Sequence, residues 1–280
     1  MEEKNKKYNI FISNFTNYLS TIKIILQIKN DYPQYFKEEI SQIGLLGSFP
    51  YSIWSCAQMG NGFTNNISLE NDLRYILDNN LKLIFDFSNT NLKQENFYDS
   101  FSNFVLNMTN ELKIDYSICI TNKDLAKFIK EKYNNINFIN ANYNKQLFDD
   151  EFFTSNIIDW EFFNNNKEEI EKNSEKYILK LNSFCENCYS CKEKISKAIL
   201  NFEIYNNTCE KISKSFETSK ENKFFVSQAE IEKNSITNFI INLNSTEVFE
   251  NIDTLLYYLI KEENLSEVKL MLLKQIYNNK

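Results

Sequence analysis

Three cysteines fall within seven residues, Cys185, Cys188 and Cys191, in the string LNSFCENCYSCK. A C-x2-C-x2-C run can turn three thiols toward one centre. Cys56, or Cys209 eighteen positions past Cys191, can supply a fourth. Four thiolates suit a [4Fe–4S] cluster or a tetrahedral zinc ion. The compact run resembles ferredoxin spacing, whereas structural zinc more often uses two separated CxxC pairs, so the cluster is expected and zinc is the alternative. A third reading, thiols that cycle through the CxxC steps, needs no metal. The C-x3-C-x2-C spacing of radical S-adenosylmethionine enzymes is absent. Cys119, inside the apolar string SICI, reads as a small buried hydrophobe.

A second stretch, GLLGSFPYSIWSCAQMGNG at residues 44–62, holds all 4 glycines of the chain and one of its 2 prolines, beside Cys56. Gly60 and Gly62 would let the backbone approach a cluster or substrate, and Trp54 would wall a pocket there. The plain alternatives are turn geometry and packing. Asp86 lies in LIFDF, where apolar neighbours would raise its pKa and suit it to acid–base work; capping a backbone group at the rim is the alternative. Asn89 and Asn91 follow the same strand, placed to bond a ligand or to satisfy a turn.

Composition narrows the chemistry. The 280 residues contain no histidine, which removes Ser-His and Cys-His pairs, the zincin motif and the usual neutral-pH base. A net charge of −7 argues against a nucleic-acid partner. The start, MEEKNKKYNI, lacks the order of a signal peptide, and no apolar run reaches the length of a membrane span. A cytoplasmic protein holding thiols rather than disulfides is expected.

The elements that must position these groups alternate. Short apolar runs at residues 8–12, 42–46, 81–87, 116–120, 136–140, 156–158, 176–182 and 236–243 read as strands. Helical stripes intervene: Leu69, Leu73 and Ile76 behind a Ser68 cap, Phe97 through Leu112, and Leu125 to Ile129 behind a Thr121–Asp124 capping box. Residues 163–176 and 206–223 read as solvated helix surface or loop, and two helices close the chain, near 248–260 and 265–277. Eight strands at this repeat predict a parallel sheet, and the fold expected is a (β/α)8 TIM-type barrel, complete or distorted, in one domain over 1–280; a doubly wound open sheet is the rival. On a barrel, the loops carrying Cys56 and Cys185 share the C-terminal rim, where βα-loops build active sites.

The order of these features resembles the U32 peptidase-like group, collagenase-like barrel proteins of which many carry an iron–sulfur cluster. The matching places are GSFPYSIWSCAQMGNG, LIFDFSNTNL, DYSICITNKDLAKFIKEKY, LNSFCENCYSC after the seventh strand, and the closing ITNFIINLNSTEVFENIDTLLYYLIKEENL. The chain departs from the group where Phe63 replaces an Arg after Gly62. Lys192 and Lys194 stand where the group has an Arg and a His-Tyr pair, and the cysteine spacing differs from that of its cluster-bearing hydroxylases. The resemblance implies an oxygen-independent redox or hydroxylation-type modification of a small-molecule or peptide substrate. Proteolysis finds no nucleophile–base pair. The second functional reading is a non-catalytic barrel with structural zinc whose rim binds a peptide or a partner subunit.

Overall fold

The computed structural model describes residues 6–55, 66–141, 152–182, 225–243 and 248–278. Within them, β1 (Tyr8–Ser13), β2 (Ile40–Gly47), β3 (Lys82–Phe87), β4 (Tyr116–Ile120), β5 (Asn137–Asn140), β6 (Phe153–Ile158), β7 (Tyr177–Lys180) and β8 (Asn238–Ile241) pair in sequence order. All pairings are parallel, and β8 closes on β1. The helices are α1 (Phe15–Asp31), α2 (Asn66–Asp78), α3 (Ser100–Glu111), α4 (Lys123–Lys132), α5 (Trp160–Asn165), α6 (Lys167–Lys172), α7 (Gln228–Lys233), α8 (Val248–Leu259) and α9 (Leu265–Asn278). This is a (β/α)8 barrel, not an open sheet. None of these helices is long and apolar enough to cross a membrane.

Strand alternation divides the core in two. One phase, including Ile12, Leu45, Phe85, Ile118, Leu179 and Phe239, packs outward against the helices. The other phase forms a separate inner cluster. All of that cluster but Ala141 falls into two layers, Phe11, Ile84, Ile139 and Ile178 from odd strands and Leu46, Cys119, Ile157 and Ile240 from even strands. Layers of four from alternate strands are how an eight-stranded barrel fills its lumen. Cys119 is thus the small buried hydrophobe expected, 1% exposed.

Several local expectations give way to better competitors. Ser68 lies inside α2 rather than capping it. The stripe from Phe97 to Leu112 is broken by Asp99, whose carboxylate accepts from the Ser102 N–H at 2.8 Å and so starts α3 later. Asn122, not Thr121, caps α4: its Oδ1 accepts from the Asp124 and Leu125 N–H groups, both at 3.0 Å, and a carboxamide one residue nearer the helix reaches both donors. Residues 160–172 hold two short helices joined at Asn166, and β6 starts at Phe153, earlier than its weak apolar signal.

Candidate active site at the carboxyl end of the barrel

The strand registers fix what faces the C-terminal mouth. From Lys180 the ladders run to Ile240, Phe11, Gly44 and Lys82, four residues before Asp86 on β3. The other way round, Asp86 leads to Cys119, Ile139 and Ser155, and one pairing beyond Asn156–Tyr177 to Lys176, four residues before Lys180. The two circuits differ by the eight-residue shear of such barrels, and their midpoint sets Asp86 and Lys180 level, on diametrically opposite strands. Ser13 and Ala141 complete this layer. It rests on the apolar layers below and forms the floor of the mouth.

Asp86 is fully buried and shares the lumen-facing phase of Ile84, which sets it in the barrel interior. Lys180 is half-buried, in phase with the inner-cluster residue Ile178. Above them, Asn182 and Asn242 clasp β7 to β8. The Asn182 amide donates to the Asn242 carbonyl at 2.9 Å, and the Asn242 N–H and amide return bonds of 2.8 and 2.6 Å. The Ser13 hydroxyl accepts from the Leu243 N–H at 2.9 Å. These bonds hold the mouth where β7 and β8 are short.

The loop after β2 is anchored from outside the lumen. Pro50 and Tyr51 form a tight turn, with Tyr51 at φ 75°, a backbone region usually left to glycine. Trp54 is fully buried, its ring edge-on to Phe87 at 5.2 Å, and its indole N–H donates to the Asn96 carbonyl at 2.8 Å. Asn89 fastens the same loop: its amide donates to the Ile53 carbonyl at 2.8 Å and its N–H to the Trp54 carbonyl at 2.9 Å. Its Oδ1 accepts from the Asn91 N–H at 2.9 Å. Asn89 and Trp54 therefore meet each other in the wall of the loop, apart from the lumen floor that holds Asp86. Gly60, Gly62 and Cys56 lie outside the described residues.

Cys185, Cys188, Cys191 and Cys209 also lie outside them. The chain leaves the described structure at Asn182 and re-enters it at Phe225, and these two residues form an antiparallel bridge. Beneath it the Tyr258 hydroxyl lies 2.9 Å from the Leu181 carbonyl and 3.0 Å from that of Val226. Both ends of the cysteine-bearing excursion are therefore pinned at the mouth. Among the described residues no group of three or more Cys, Asp or Glu side chains gathers to hold a metal. A cavity of about 350 Å³ opens at the opposite, amino end, lined by Lys82, Asp115, Ser117, Asn137 and Asn238. The ceiling of that cavity includes Phe11 and Ile84, so the apolar layers separate it from the mouth.

Sequence reasoning missed Lys180 and the Asn182–Asn242 clasp. The signal was present in YILKLN, where the inward phase of an otherwise apolar strand carries Ile178, Lys180 and Asn182. Compared with solved structures, the chain superposes on the U32 peptidase Mk0906 with a TM-score of 0.54, over 88% of this chain and 96% of that one, at 11% identity. The chain shares the barrel fold of that protein. No protein-family model matches the sequence, and no curated protein does. At this identity the likeness concerns the barrel, not its chemistry.

Proposed function

We propose that this U32-like barrel is an enzyme whose C-terminal mouth carries a [4Fe–4S] cluster on Cys185, Cys188, Cys191 and either Cys56 or Cys209. Its reaction is an oxygen-independent redox or hydroxylation-type modification of a small molecule or peptide. The observation that carries the reading is positional. The C-x2-C-x2-C run begins three residues after Asn182, at the pinned carboxyl end of β7, and Cys56 follows Ser55 at the end of the anchored β2 loop. Both cysteine segments thus join the barrel at the end where such folds place catalysis.

The fit rests on donor chemistry: four thiolates satisfy a cubane cluster without histidine, which this chain lacks. A bound cluster supplies one-electron transfer. The chain's own groups do the rest. Asp86, buried on the floor, holds or moves a proton at its carboxylate; the asparagine clasp keeps the mouth open to one width; and Asn89 keeps the β2 loop at a fixed height. The apolar layers beneath exclude water from the amino end.

The test is protein purified without oxygen, assayed for iron, zinc and acid-labile sulfide per chain with a visible spectrum. About four irons with matching sulfide and a broad visible band are expected, lost in Cys188→Ala while the barrel stays folded. One zinc without colour, with Cys188→Ala unfolding the protein, would replace this reading with a zinc-stapled barrel that binds a peptide or partner. The missing arginine and histidine at the group's usual positions favour that second reading. Metal-free protein would overturn both.

A further inference from the structure

The amino end of the lumen is built differently from the rest. The two apolar layers fill the barrel above it. The next even-strand layer, two residues before Leu46, Cys119, Ile157 and Ile240 and in the same inward phase, consists of Gly44, Ser117, Ser155 and Asn238. Bulky branched residues dominate such layers in most barrels. Here small and polar side chains leave the layer hollow, and the amino-end cavity of about 350 Å³ is the result. Branched residues at Ser117 and Ser155 would bury more apolar surface, so stability alone does not account for the hollow. Its volume falls at the lower end of the roughly 300–1,000 Å³ of small-molecule sites. The ceiling is apolar, made by Phe11, Ile84, Ile139 and Ile178. The rim is polar and carries one charge of each sign. Lys82 and Asp115 stand side by side, one step before the Leu83–Tyr116 pairing, in the inward phase of Ile84 and Cys119. No ion pair joins them. Among the described residues neither has a side-chain hydrogen bond, and the same holds for Ser117, Asn137 and Ser155.

We propose that this cavity is a second binding site, for a free amino acid with an apolar side chain. The ligand's carboxylate pairs with Lys82 and its ammonium donates to Asp115, while its side chain lies against Phe11 and Ile139 in the ceiling. The serine hydroxyls and the Asn137 amide satisfy what the two charges leave. A ligand of a single sign would be repelled by Lys82 or by Asp115, and one without an apolar part would leave the ceiling facing water. The apolar layers separate the site from the mouth, so the proposal stands or falls independently of the metal and the reaction assigned there.

The test is calorimetric titration of the full-length protein with L-leucine, with glycine and with isocaproate, which is leucine without its amino group. Low ionic strength is used because the rim charges are solvated. Leucine should bind, with glycine and isocaproate each about tenfold weaker or more. Lys82→Met should weaken leucine about tenfold, the loss of a charged hydrogen bond. Asp115→Asn should weaken leucine but tighten isocaproate, because it removes a charge that attracts the ammonium and repels the carboxylate. Ser155→Leu returns a branched side chain to the layer and should abolish leucine binding without lowering Tm. Should Ser155→Leu fail to fold, the two variants of exposed rim residues decide. No leucine binding to the parent protein, or glycine bound as tightly as leucine, overturns the proposal. So does unchanged leucine affinity in Lys82→Met, in Asp115→Asn or in folded Ser155→Leu.

Discussion

Gly44 shows how a single missing methyl group can shape the lumen. A Cβ at this position would stand 2.6 and 2.7 Å from two carbons of the Phe11 ring and 3.1 Å from the Lys82 carbonyl oxygen. The Phe11 ring packs in a layer with Ile84, Ile139 and Ile178 and would have to shift out of it, toward the amino-end cavity, to admit the methyl group. Gly44→Ala should therefore cost about 2 kcal/mol by overpacking, read as a lower urea midpoint with an unchanged slope. Adding Phe11→Leu should make the pair cost less than the two single changes summed; strict additivity would show that the ring and the glycine do not meet. The glycine cluster was visible in the sequence, and so were its two general explanations, turn geometry and ligand approach. The ring that requires Gly44 was not, because it comes from a strand more than thirty residues earlier. Asp86 fared better, since alternation along LIFDF already separates it from Phe85 and Phe87.

At the level of elements, Asn89 is one of the side chains of the next βα unit that hold the β2 loop, beside Ser102, whose hydroxyl meets that of Ser52 at 2.8 Å. Asn89→Ala would strand the Ile53 carbonyl and the Asn91 N–H, each now bonded within 2.9 Å. Leaving two such groups unsatisfied costs about 2 kcal/mol or more, and the loss should be local as well as global. Limited proteolysis should cut Asn89→Ala within residues 48–55 under conditions where the parent protein is intact; equal resistance would refute the anchor. The eight strands were legible because apolar runs and helical stripes are local signals. The anchors were not, because Asn89 and Ile53 are 36 residues apart and Asn182 and Asn242 are 60 apart. Lys180 marks the same limit: its strand was read, but setting it level with Asp86 needs the shear of the closed barrel, which no single strand encodes.

For the whole molecule, the charge that folding must bury predicts an alkaline stability maximum. Burial pulls Lys6 and Lys37 down from 10.5 to about 8, against the opposing pull of Glu39, Glu232 and Glu262 at Lys37. Between those values the unfolded chain binds more protons than the folded one, so stability rises as pH climbs from about 8 toward 10. Both ammonium groups are partly solvated, which limits the combined gain to about 1 kcal/mol. Tyrosine works in the other direction. Burial raises Tyr116 and Tyr133 from 10.0 to about 12, and moves Tyr8 and Tyr258 upward as well. These phenols stay protonated in the fold after the unfolded chain has begun to lose its protons, so stability falls above pH 10, steeply because several groups act together. Urea midpoints across pH 7 to 12 should pass through a maximum near pH 10. Lys37→Met should flatten the rising limb and leave the falling one, where the part of the tyrosinate absorbance that belongs to the buried phenols should appear only with unfolding. A steady decline from pH 7, or the full tyrosinate absorbance of the chain developing before it unfolds, would mean that these lysines and phenols are solvated rather than held in the walls of the barrel.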